Sequence, residues 1–230
     1  MIRVGLIGCG AIGSSLAKAI DQNYAAVAKI VALADAQRQA AQTLQRQLAS
    51  RPSIVSLPQL IRRSDLVIEA ASASVVAQAV RLALSAGRDV LVMSTGGLLT
   101  HRSSWQRLAQ RSRGRLVVPS GALAGIDGLK AMAVGTIQRI RLTTRKPPKA
   151  LASAPFVQAK RLNLRRLRRP TTLLEGPPHQ ILKAFPQNTN VAATVALASE
   201  LGIFSSPAKR RVSTTVRVVA DPTIRVNRHE

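Results

Sequence analysis

Apolar residues in the first half of the chain fall in short blocks, and their spacing alternates between two periods. "RVGLIG", "KIVALAD", "DLVIEAAS", "DVLVMST" and "GRLVVPSG" contain continuous aliphatic and β-branched runs of strand length, as expected of strands covered on both faces. Between them, "AIGSSLAKAI", "AQRQAAQTLQRQL", "SLPQLIRRS", "SVVAQAVRLALSAG" and "HRSSWQRLAQRS" return apolar residues at helical intervals, Leu16 and Ile20 sharing one face. Strands alternating with helices over about 120 residues predict a parallel doubly wound sheet, whose ligand crevice lies at the carboxyl ends of the strands. Ser72, Ser94, Ser120 and Gly121 fall at such ends. From about Ile126 the pattern changes: "GTIQRIRLTTRKPP" and "VSTTVRVVADPTIRV" read as antiparallel strands, with "NVAATVALASEL" as a helix between them.

The first strand runs into Gly8, Gly10 and Gly13, a G-x-G-x-x-G placed where a strand ends and a helix begins. The first glycine permits the tight turn, the second lets the backbone approach a pyrophosphate, and the third lets helix and strand pack closely. The opening turn of the helix, with Ala11, Ile12 and Gly13, presents N–H groups and a positive dipole end to the phosphates. Asp35 closes the second strand at the spacing where an acid accepts hydrogen bonds from the adenine ribose hydroxyls. These features predict NAD as cofactor, and Arg38 close behind the acid admits the 2′-phosphate of NADP. The fold expected is a Rossmann-type doubly wound parallel sheet over residues 1–125, followed over residues 126–230 by an α+β domain with a mostly antiparallel sheet.

Composition narrows the class. At 230 residues and 46% hydrophobic, the chain can bury a sizeable core. Its apolar runs stop short of the roughly 20 residues that a membrane span needs. No charged segment, apolar core and cleavage site precede Ile2 in order, so a cytoplasmic protein is expected. The lone Cys9 leaves neither a disulfide framework nor a cysteine cluster for zinc, and no metal site is predicted. The 34 Lys and Arg against 10 Asp and Glu give a formal +24, a field that attracts polyanions such as nucleic acid. Aromatic residues at 2% argue against stacking on single strands. The basic stretch "AKRLNLRRLRRP" is too short and irregular for an amphipathic helix and reads as a solvated segment.

Four blocks carry a further signal: "SGALAGIDGLKA", "TTRKPPKAL", "LLEGPPHQILKAFPQNTNVAATVALA" and "VVADPTIRVNRHE". In this order they resemble the L-aspartate dehydrogenase family over nearly the whole chain. The resemblance implies NAD(P)-dependent oxidation of L-aspartate to iminoaspartate, which yields oxaloacetate and ammonia or enters NAD biosynthesis. It also implies a homo-oligomer, a dimer, and no membrane association. It places the active-site histidine at His229 in the N-x-H-E block and further cofactor contacts at Ala124 and Asn190. The family pattern continues past that block with a strand, a Gly-containing loop and a helix, so the second domain is expected to be truncated. "ELGIFSSPAKRR" is an insertion relative to the pattern. Each assignment has a plainer alternative: Asn188 or Asn190 as a helix cap, His229 as a frayed penultimate residue, and His101, His179 and Cys9 without a role in the site. Set against the enzyme reading is a degenerate dinucleotide fold that binds nucleic acid or other polyanions through its basic surface.

Overall fold

The computed structural model describes residues 1–99, 102–121, 123–135, 137–186, 190–200 and 213–230. The chain divides into two compact units, Met1–Pro119 and Ser120–Glu230.

In the first unit the apolar blocks become β1 (Ile2–Ile7), β2 (Ala28–Ala34), β3 (Ser53–Ile54), β4 (Leu66–Glu69), β5 (Asp89–Val92) and β6 (Leu116–Val117). They form one sheet in the order β3-β2-β1-β4-β5-β6, with every pairing parallel. The crossovers carry α1 (Ala11–Asn23), α2 (Arg38–Gln47), α3 (Leu57–Arg63), α4 (Ala73–Ser85) and α5 (Arg102–Arg111). The chain runs outward from β1 to β3 and then returns to the other side of β1 at β4, so the order reverses beside β1. A ligand crevice opens at such a reversal. The two-residue β3 lies in "RPSIVS", where the apolar run is too short to stand out by periodicity. Val4, Leu6, Ile30, Leu33 and Ile68 from the sheet join Ala17, Ala41 and Leu44 from α1 and α2 in one buried cluster. At the opposite, amino-terminal ends of the strands, Arg3 grips Asp65 through its backbone N–H at 3.0 Å and its guanidinium at 3.1 and 2.7 Å.

The second unit contains β7 (Arg139–Lys146), β8 (Thr171–Gly176), β9 (Ser213–Ala220) and β10 (Arg228–His229), ordered β10-β7-β9-β8. The two outer pairings are antiparallel, while the central pair β7 and β9 is parallel. The two β-branched runs that read as antiparallel strands thus each have an antiparallel neighbour but run parallel to one another. The long crossover between them returns the chain in the same direction, which a tight hairpin cannot do. That crossover holds α7 (Pro148–Leu151), α8 (Pro155–Ala159), α9 (Pro178–Ala184) and α10 (Asn190–Glu200), and α6 (Ile126–Met132) precedes β7. α10 is apolar almost all round, and residues 192–199 are all buried, as such a helix requires. Leu142, Val216 and Val218 from the sheet meet Leu151, Val157, Ile181, Phe185 and Val195 in a single core.

The basic stretch forms no long helix. Leu164 is buried as an anchor in a short 3₁₀ turn, while Lys160, Arg161, Arg165, Arg166, Arg168 and Arg169 are exposed, as a solvated segment should be. "ELGIFSSPAKRR" falls almost wholly within residues 201–212, outside the described residues. Among the described residues no helix is long and apolar enough to cross a membrane.

Candidate active site

The glycine turn has the geometry that its spacing predicts. Gly8 adopts φ +93°, and a Cβ there would stand 2.6 Å from the Ala70 carbonyl oxygen and 2.7 Å from Ala71 Cα. Gly13 faces the Gly8 carbonyl so closely that a Cβ would collide with it. A Cβ on Gly10 would meet nothing within 4 Å, leaving open space where a phosphate approaches the backbone. Gly10 caps α1 without a side-chain hydrogen bond, so no side chain covers the N–H groups of the first turn. Ala11 and Ile12 are exposed there and Gly13 is buried. A dinucleotide's pyrophosphate fits this cradle.

Asp35 follows β2 and is tied to the turn itself. One carboxylate oxygen accepts the Cys9 N–H at 2.6 Å and the other accepts the Gln37 N–H at 2.7 Å. A carboxylate has about four acceptor positions, so room remains for ribose hydroxyls. Arg38 opens α2 in solvent one residue beyond Gln37. Burial, reinforced by the Asp35 charge, pushes the Cys9 thiol up to about 12, which keeps it protonated and inert.

Glu69 closes β4 and received no role from the sequence. It is fully buried, and its carboxylate accepts hydrogen bonds from the N–H groups of Ala71, Ser72 and Ser94 and from the Ser94 hydroxyl. Ser72 N-caps α4, and Ser94 follows β5.

In the second unit, Ala124 is exposed and precedes Gly125, whose φ of +81° opens α6. Asn190 is the exposed first residue of α10, and Asn188 lies outside the described residues. α6 and α10 pack together, with Ile126 and Ala192 in one core, so both expected cofactor contacts stand at the amino ends of packed helices.

His229 is held in β10 opposite Thr144 of β7. Its Nδ1 lies 3.2 Å from Thr144 Oγ1, and a hydroxyl there can serve either tautomer. Beyond it, Thr143 and Glu230 exchange backbone hydrogen bonds of 2.7 and 2.9 Å, so the residue is fastened rather than frayed. Strand alternation sets Leu142, Thr144 and Lys146 on the inner face of β7, all buried, which places Lys146 diagonal to His229. Burial and the Lys146 charge hold the imidazole below its ordinary proton affinity, and burial lowers that of Lys146. On the other face Arg145 faces Asp221 at 3.8 Å and Glu230 at 3.4 Å. Lys146 and Thr144 were not singled out from the sequence. The available signal was a lysine at an inward position of an alternating strand, where buried lysines are rare. His179 is exposed near the start of α9, and His101 lies outside the described residues.

Residues 8–119 match the family model for the NAD-binding domain of homoserine dehydrogenase, and residues 127–230 match that for the C-terminal domain of aspartate dehydrogenase. The L-aspartate dehydrogenase of Methanosarcina barkeri is 42% identical over all of this chain and 82% of its own length. The chain belongs to the L-aspartate dehydrogenase family. Its Bradyrhizobium diazoefficiens member is 35% identical over 99% of this chain and 77% of its own length. The crystal structure of the Thermotoga maritima aspartate dehydrogenase superposes with a TM-score of 0.74 at 25% identity, covering all of this chain and 83% of that one. Membership makes the chain an oxidoreductase that uses NAD(P), in agreement with the glycine turn.

Proposed function

We propose that the protein oxidises L-aspartate with NAD or NADP to iminoaspartate, which hydrolyses to oxaloacetate and ammonia or supplies the biosynthesis of NAD itself. The observation that carries this reading is the His229 imidazole, fixed against Thr144 and held below its ordinary proton affinity by burial and by Lys146. In this reading the glycine turn and Asp35 hold the pyrophosphate and adenine ribose, and Ala124 and Asn190 remain the cofactor contacts that the family resemblance implies. A dinucleotide held by the glycine turn and Asp35 would supply a hydride acceptor for the substrate α-carbon.

Oxidation of an amino acid needs its ammonium to give up a proton, so that the nitrogen lone pair forms the C=N bond as the Cα–H bond breaks. A neutral imidazole takes that proton and, once it has released it to solvent, can again act as a base on the water that hydrolyses the imine. The Lys146 cation disfavours a second positive charge on His229 and adds a positive potential that suits a dicarboxylate substrate. The test is aspartate-dependent reduction of NAD and NADP. The wild-type chain is expected to turn over aspartate in preference to malate and glutamate. His229→Ala is expected to lose roughly 10²–10⁴-fold in kcat with NADH affinity unchanged. A His229→Ala variant with wild-type turnover would remove the histidine from the chemistry, and turnover of malate alone would remove the substrate.

A further inference from the structure

Glu69 is a buried acid that the chemistry above does not use, and its surroundings are built for an anion. Its oxygens receive three backbone N–H groups, Ala71 at 2.8 Å, Ser72 at 3.1 Å and Ser94 at 3.1 Å, and the Ser94 hydroxyl at 2.9 Å. Among the described residues no Lys, Arg or His lies within ion-pairing distance of it. Burial pushes its proton affinity up and the four donors oppose that rise. Such an arrangement costs desolvation and returns rigidity, because one side chain bridges the loop after β4 to the loop after β5.

The location of those loops gives the bridge its meaning. Asp35 marks the adenine ribose side at β2, and Gly8 to Gly13 mark the pyrophosphate at β1. In this sheet order a dinucleotide crosses the reversal beside β1, so its remaining half lies over the carboxyl ends of β4 and β5. Those ends are the segments clamped by Glu69. The clamped loop also touches the phosphate turn, since Ala70 and Ala71 occupy the space that a Cβ on Gly8 would need.

We infer that Glu69 is a positioning residue for the nicotinamide half of the cofactor, holding Ala71, Ser72 and Ser94 as the rigid floor on which that half rests. The inference rests on the cofactor reading and is independent of whether aspartate is the substrate. It is tested by titrating NADH and ADP-ribose, which lacks nicotinamide, against the wild type, Glu69→Gln and Ser94→Ala, with amide hydrogen exchange on the cofactor-free proteins. Glu69→Gln keeps the shape but turns an amide N–H₂ toward donors. NADH affinity is expected to fall about 10-fold or more, as loss of hydrogen bonds to a charged acceptor implies, while ADP-ribose binds within about twofold of wild type. The amides of Ala71, Ser72 and Ser94 should lose protection in the same variant. Ser94→Ala, which removes one donor and leaves the fold's backbone untouched, should shift NADH alone and by less; it carries the test if Glu69→Gln does not fold. Unchanged NADH affinity in either folded variant, or a parallel loss of both ligands, would overturn the assignment. A wild type that binds neither ligand would instead overturn the cofactor reading and this inference with it, whereas NADH binding without aspartate turnover would leave the inference intact.

Discussion

In the first unit, Gly8 and Gly13 act through the side chain they lack: one adopts a left-handed φ, the other admits a carbonyl where a Cβ would be. In the second, His229, Thr144 and Lys146 act through side chains brought to one face of a sheet by strand pairing. The groups proposed to hold the phosphates in the first unit are backbone N–H groups spread over a few consecutive residues. In the second, the paired side chains of His229 and Thr144 lie 85 residues apart in sequence. A site made of local backbone tolerates little change in side-chain size and hardly depends on titration. A site made of distant side chains depends on register and on each charge nearby.

Gly13→Ala breaks the comparison on the first side, with a larger expected effect than changes at Lys146 or Arg3. The new methyl meets the Gly8 carbonyl, so α1 must move away from the turn, at an expected cost of about 1–3 kcal/mol from overpacking. Calorimetry should record the lower melting temperature, and NADH titration at least a tenfold loss of affinity. Wild-type binding by this variant would mean that the close contact does not shape the cofactor turn.

Lys146→Gln sharpens the second side. The Lys146 cation opposes protonation of His229, so removing it raises the imidazole's proton affinity. If the neutral imidazole is the base, kcat/KM rises with pH through that titration, and the acid limb of the profile should move to higher pH in the variant. The other charged groups at this edge, Arg145, Asp221, Arg228 and Glu230, are left in place. Lys146→Arg should leave the limb where it is, and an unmoved limb in Lys146→Gln would separate the lysine from the histidine.

Arg3→Ala has the smallest effect and serves as a control far from the crevice. Arg3 holds the Asp65 carboxyl down to about 2, below its ordinary value, so the pair's stabilisation is present above the ordinary carboxylate range and is lost as pH falls toward 2. Both side chains are largely exposed, at 51% and 40%, so solvent keeps the contribution at neutral pH small. Urea unfolding at pH 7 and near pH 2 should show a small difference between variant and wild type at the first and a smaller one at the second. NADH affinity should not change at either pH at which the protein is folded.

Legibility followed the same division. The glycine turn, Asp35 and the strand-helix alternation were readable because each rests on residues close in sequence whose backbone requirements are strict. Glu69 was not: an acid at the end of an apolar strand looks like a strand terminus facing water until the loops after β4 and β5 fold over it. β8, in "TTLLEG", was not separated from its surroundings, since four half-buried and two exposed residues on the edge of a sheet carry little periodicity. Lys146, one of 34 cations in the chain, was marked only by its inward place in an alternating strand.

By itself the sequence determined a parallel sheet with a phosphate turn and, through four ordered blocks, a relation to a known dehydrogenase family. Local sterics and period-two or period-3.6 burial act between near neighbours, so they leave marks that can be read along one dimension. Only the tertiary structure decided that β7 and β9 run parallel, that Lys146 stands beside His229, and that Glu69 spans two loops. Those outcomes depend on which strands pair and in what register, a choice made by burial summed over the whole core. No short stretch of the chain records it.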